Sequence, residues 1–249
     1  MAADIVLLVP DWPAPAHVRA LATTRAGGVS APPFHGFNLA DHVGDDPRAV
    51  AENRRRLARS AALPEAPRWL RQVHGRGVVD AATVDRGVDA DAAFATAAGV
   101  VCGVLTADCL PVLLCDRQGT RVAAAHAGWR GLSEGVLEAA VDALEIAPAQ
   151  VIAWLGPAIG PHAFEVGDEV RARFLADDPA AAPAFRCSRP GHWHADLYQL
   201  ARLRLAARGV SAVWGGERCT YTEEEHFFSY RRNGTTGRMA ALIWLDPFR

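Results

Sequence analysis

The chain has 249 residues, half of them hydrophobic and 22% charged, with a formal net charge of −2. That is enough to bury a substantial core, and the near-neutral balance gives no long-range field to gather nucleic acid or an anionic membrane surface. No apolar run approaches the roughly 20 residues needed to span a bilayer, and an acid, Asp4, stands where a secretory signal would be basic. Five cysteines without such a signal do not make a disulfide framework, so a cytoplasmic protein acting on a small molecule is expected. The chain contains no lysine, which removes P-loop lysines, Schiff-base chemistry and Ser–Lys dyads and leaves anion binding to arginine, backbone amides or a metal.

In chain order, Asp46 followed by Pro47 reads as a helix cap and first-turn proline, opening a helix to about residue 60 with Val50 and Leu57 inward. Three apolar runs at 100–105, 111–114 and 122–125, separated by a polar break at 106–110 and a turn at 116–119, read as strands buried on both faces. Residues 128–131 then lead into one helix whose apolar positions Leu132, Val136, Leu137, Ala140, Val141 and Leu144 recur at helical spacing. A strand at 151–155 ends in Gly156-Pro157-Ala158-Ile159-Gly160-Pro161, followed by helices at 168–176 and 196–208, the second with Leu197, Leu200, Ala201 and Leu205 on one face. The intervening 177–190, rich in alanine and proline, reads as a surface loop, and runs at 227–230 and 239–245 read as closing strands around an Asn-Gly connection. Interleaved strands and helices with no internal repeat predict an α/β fold of three layers, as a single domain over 1–249.

Cys109 and His126 therefore fall at strand ends beside a helix start, the edge of an α/β sheet where sites form. His74, between Val73 and Gly75 after the apolar pair Trp69-Leu70, completes a set of two imidazoles and a thiolate. A borderline-soft ion such as zinc accepts that set, and three protein ligands leave a fourth position for water or substrate. The same residues also read as a metal-free thiol centre, with Cys109 as nucleophile and His126 as base, as in a hydrolase or amidase. A third reading is a non-catalytic interaction module. Arg130, just before a helix start, and Arg25, beside a glycine pair, are anion-binding candidates. Arg231 and Arg232, after Phe227-Phe228-Ser229-Tyr230, combine charge with stacking surface suited to a nucleobase carrying a sugar or phosphate. The lone His192-Trp193-His194 and the scarcity of methionine, only Met1 and Met239, give redox copper little support.

Seven segments in this order resemble the laccase-domain family: residues 23–30, Asn38-Leu39 with His42-Val43-Gly44-Asp45, Gln72-Val73-His74-Gly75, residues 106–111 (Thr-Ala-Asp-Cys-Leu-Pro), residues 126–131 (His-Ala-Gly-Trp-Arg-Gly), Gly156-Pro157 with Ile159-Gly160, and residues 227–232. The likeness runs from about residue 20 to the C-terminus; His162 departs from the small residue or cysteine expected there. The resemblance implies a single α/β/α domain with a mixed sheet, and a zinc held by His74, Cys109 and His126. It also implies phosphorolysis of inosine, adenosine and methylthioadenosine with adenosine deaminase activity. A monomer or small homo-oligomer is expected. Arg25, Asn38, His42 and Arg231 would contact nucleoside or phosphate, Arg130 would orient phosphate, and Asp108, beside the thiolate, would carry protons. The family has also been named for polyphenol oxidation, and members are described as editing cell-wall precursors.

Overall fold

Alternate residues of the central strands enter different cores, which decides how the layers stack. In β6 (Leu110–Asp116), Leu110, Val112 and Leu114 face one cluster of buried side chains while Leu113 and Cys115 face another. In β7 (Val122–Ala127), Ala123, Ala125 and Ala127 take the first and Val122 and Ala124 the second. This is the period-2 geometry of a sheet buried on both sides. The computed structural model describes residues 4–85 and 87–248; the first three residues, part of the stretch read above for a signal, lie outside it, as do Arg86 and Arg249.

β6 and β7 are the middle of a six-stranded mixed sheet. β8 (Val151–Leu155) and β12 (Ala212–Gly215) extend it on one side, β4 (Ala92–Ala95) and β3 (Val78–Asp80) on the other. Only the outer pairs, β12 with β8 and β3 with β4, run parallel. On one face lie α3 (Val136–Ala143), α4 (Asp168–Asp177) and α5 (Leu197–Ala207), all sharing the first cluster. The other face meets a four-stranded antiparallel sheet of β1 (Leu7–Leu8), β2 (Val18–Thr23), β13 (Met239–Leu245) and β5 (Cys102–Thr106). α1 (Pro47–Ser60) covers the far side of that second sheet through Leu57, packed with Leu21, Leu242 and Trp244.

The fold is thus mixed α/β with helices outside, as expected, but its middle is two sheets face to face rather than one. A strand buried on both faces has the same continuous apolar run whether helix or sheet covers it, so the run alone does not reveal the second sheet. The small residues Ala22, Ala93, Ala95, Cys102, Ala124 and Cys115 line the contact.

Three elements differ from the sequence reading. The single helix after residue 128 is two, α2 (Trp129–Glu134) and α3, broken at Gly135, whose φ of 94° a continuing helix cannot hold. The expected loop at 177–190 contains a 3₁₀ segment, Pro179–Ala184, and β10 (Phe185–Arg189), with Ala181, Ala184 and Phe185 buried. β10 pairs with β11 (His192–Ala195), which pairs with β9 (Glu165–Gly167) in a small antiparallel sheet. Residues 227–230 do not form a strand: Phe227 and Phe228 are fully buried plugs, and Ser229 caps the short α6 (Tyr230–Asn233) by accepting the Arg232 N–H. Among the described residues no helix is long and apolar enough to cross a membrane.

Candidate metal centre

The register of β6 on β7 sets Pro111 opposite His126 and Leu110 opposite Ala127, so the turn carrying Cys109 into β6 lies beside the end of β7. That turn is sharp: Asp108 has φ 88°, a left-handed conformation that non-glycine residues enter only under constraint. Its side chain supplies the constraint. The carboxylate accepts the Thr220 and Ser229 hydroxyls at 2.6 and 3.0 Å and the Arg231 N–H at 2.6 Å. The Asp108 carbonyl accepts the Ile159 N–H at 2.9 Å. Asp108 therefore joins the Cys109 turn to the 156–161 turn and to the segment from 220 to 231.

His74 arrives on a loop at φ 61°. Its Nε2 lies 3.9 Å from Cys109 Sγ, and its ring meets that of His126 edge to face at 4.8 Å between centroids. One ligand atom from each of His74, Cys109 and His126 lies within 4.8 Å of the others, so the three can hold one metal ion. His126 is buried, Cys109 half-buried and His74 exposed, so the group opens outward on the His74 side. A tetrahedral ion bound by thiolate and imidazole sets its ligand atoms roughly 3.3–3.6 Å apart, and the separations here, 3.9 Å between His74 Nε2 and Cys109 Sγ and none above 4.8 Å, are of that order. Burial opposes ionisation of the Cys109 thiol, but the adjacent His126 and His74 outweigh it and draw the thiol below its ordinary range. The donor set thus favours the thiolate that a soft cation binds.

Asp91 was not singled out from sequence. It is fully buried, and its Oδ1 accepts from His126 Nδ1 at 2.8 Å. That leaves Nε2 of His126 toward the other two ligands. Burial pushes the Asp91 carboxyl up, but the His126 contact and the backbone N–H groups of Gly75 and His74 bring it below its ordinary value.

The centre opens into a cavity of about 580 Å³ lined by three arginines, Arg130, Arg231 and Arg238. Arg231 lies over the Phe164 ring and donates to the Glu165 carbonyl, and Arg130 lies over Trp129. Arg238, also missed from sequence, is held by the Thr236 and Gly237 carbonyls. Trp129, Ile159, Phe164 and Tyr230 supply apolar wall, and His42 reaches the cavity with a largely exposed side chain. Two expected contacts are placed elsewhere. Arg25 lies outside the cavity, stacked on Phe228 and bonded to His35 and the Glu224 carbonyl. Asn38 is 0% exposed and uses both ends of its amide on Ala40, Asp45 and the Arg238 N–H. It supports the cavity wall from behind, because a buried amide must satisfy its own donors and acceptors.

Fold and site together define a mixed α/β protein with a His/Cys/His group at an arginine-lined cavity. The family model described as multi-copper polyphenol oxidoreductase laccase matches residues 19–246, and the chain belongs to that family. It is 58% identical to a purine nucleoside phosphorylase of Pseudomonas aeruginosa, over 96% of this chain and 98% of that protein. It is 55% identical to the purine nucleoside phosphorylase YfiH of Escherichia coli, with the same coverage. A crystal structure of a Neisseria meningitidis protein, 52% identical, superposes with a TM-score of 0.94 over 96% of this chain and 99% of that one.

Proposed function

We propose that the chain is a zinc-dependent purine nucleoside phosphorylase acting on inosine, adenosine and methylthioadenosine, with adenosine deamination as a side activity. The observation that carries this reading is the three-ligand group opening directly into a cavity with three arginines and aromatic walls. The name borne by relatives at 55–58% identity supports it.

Phosphorolysis requires an anion held below the sugar, a platform for the purine, and stabilisation of positive charge developing at C1′. Arg130, Arg231 and Arg238 bind and orient phosphate, replacing its hydration with guanidinium donors in a partly enclosed space. Trp129, Phe164 and Tyr230 offer apolar surface to the base. Asp108 acts as a positioning residue, because its carboxylate is occupied by Thr220, Ser229 and the Arg231 N–H. His74, Cys109 and His126 would hold the zinc, which when bound would supply Lewis acidity beside the phosphate and sugar.

Phenol oxidation by a multicopper cluster needs several histidine sites, whereas the described residues offer one such group of three. The thiol-hydrolase reading draws on the lowered Cys109 thiol and is separated by the same experiment. Purified protein is analysed for metal, and hypoxanthine release from inosine is followed with and without phosphate. Phosphate-dependent release that a chelator abolishes is expected, and Cys109→Ser should lose both zinc and turnover. Release that persists after chelation, or full activity in the serine variant, would overturn the proposal.

A further inference from the structure

Both the loop carrying His74 and the strand end carrying His126 hang from a single side chain that does not line the cavity. Asp91 immediately precedes β4 and is 0% exposed. Its Oδ1 accepts the His74 N–H at 2.9 Å besides His126 Nδ1, and its Oδ2 accepts the N–H groups of Val73 at 3.2 Å and Gly75 at 2.8 Å. The residue's backbone adds two more ties: its carbonyl accepts the His126 N–H at 2.7 Å and its N–H donates to the Gly77 carbonyl at 3.0 Å.

We infer that Asp91 is the positioning residue of the metal centre, fixing in one carboxylate the placement of His74 and the tautomer of His126. This rests on the reading of His74, Cys109 and His126 as metal ligands. A buried carboxylate is costly unless its lone pairs are filled, and here four donors converge on it, three of them consecutive backbone N–H groups that curl around the anion. His74 stands at φ 61°, a left-handed conformation that a non-glycine residue keeps only where the surroundings enforce it, and those N–H bonds enforce it. An imidazole that donates Nδ1–H to a carboxylate presents Nε2 as its ligand atom with raised basicity, the usual arrangement behind a metal-bound histidine.

The test uses the full chain and the near-isosteric Asp91→Asn, whose amide NH₂ would confront a backbone N–H or His126 Nδ1–H. Metal affinity is measured by competition with a chromophoric chelator, and cobalt(II) loaded in place of zinc reports coordination geometry through its absorption spectrum. We expect affinity to fall about 10–100-fold and the cobalt spectrum to change. A variant that only melts earlier, with unaltered affinity and cobalt spectrum, would reduce Asp91 to a structural residue and overturn the inference. Should the variant fail to fold, long-range ¹H–¹⁵N correlation of the imidazoles in the zinc-loaded unsubstituted chain decides the matter: Nδ1–H with Nε2 on the metal is expected for His126, and the opposite assignment refutes it. An unsubstituted chain that binds no metal would instead remove the reading of the centre itself, so the two failures are distinguishable.

Discussion

A methyl group at residue 128 would stand 2.9 Å from Cys109 Sγ and 3.2 Å from His74 Cδ2. The backbone of Gly128, at φ −62°, is one that alanine adopts freely, so the glycine is required by the space the ligands occupy. Gly128→Ala should therefore fold but lose metal affinity by about tenfold or more, the range seen when supporting residues displace a ligand; isothermal titration with zinc measures it, and an unchanged constant would show that the ligands do not meet there. Thiol reactivity gives a second check at this scale. Cys187 is exposed, while Cys102 and Cys115 are buried, and burial pushes the Cys115 thiol up to about 12. A chromogenic disulfide should label Cys187 rapidly in the native chain and Cys102 and Cys115 only on denaturation. His74, Cys109 and His126 were legible from sequence because each lies where an apolar run gives way to turn residues. Asp91 was not, because Val-Asp-Ala-Asp-Ala offers two equivalent acids; only the fold turns Asp89 outward to pair with Arg71 and Asp91 inward to the histidines. Asn38, expected at the ligand, is instead buried with its amide on Ala40, Asp45 and Arg238, since an amide that binds a ligand and one that binds its own backbone look alike in sequence.

Elements whose ends are set locally were read correctly. The helix opened by Asp46 and Pro47 runs Pro47–Ser60, with the Asp46 carboxylate accepting the Arg48 N–H at 2.8 Å. Asp46→Ala should cost about 1 kcal/mol, read as a lower urea midpoint at constant slope. The break between α2 and α3 was invisible because Leu132, Val136 and Leu137 keep helical spacing across it and enter the same core. Only the backbone angle of Gly135 parts the two helices, and a sequence pattern of side chains carries no record of it. Gly135→Ala forces an alanine into the left-handed region and should destabilise by about 1–2 kcal/mol. A gain in stability, the usual result of glycine to alanine inside a helix, would mean that the helix is continuous. Residues 227–230 were misread for a tertiary reason: Phe227 and Phe228 fill a small cluster with Ala107 and Met239, and such apolar pairs resemble a strand until their backbone partners are known.

At the scale of the molecule, the candidate centre lies where the elements of the six-stranded sheet come together. Cys109 leads into β6, His126 stands on β7, and His74 is held to the residue before β4. The three ligands are separated by 35 and 17 residues along the chain, so an unfolded chain does not hold them around one ion, and binding is linked to folding. Metal at about 100 times its dissociation constant should then stabilise the native state by about 2.7 kcal/mol. For a chain of this size each 1 kcal/mol moves the midpoint by about 2–4 °C, so chelation should lower the melting temperature by roughly 5–11 °C, and added zinc should restore it. Cys109→Ser should melt near the chelated value and respond to neither treatment, because it lacks the thiolate that anchors the ion. Equal melting temperatures for the loaded and chelated chain, with metal content verified, would mean that these three segments are not joined through an ion in the folded state, and the phosphorylase proposal would lose its centre with them.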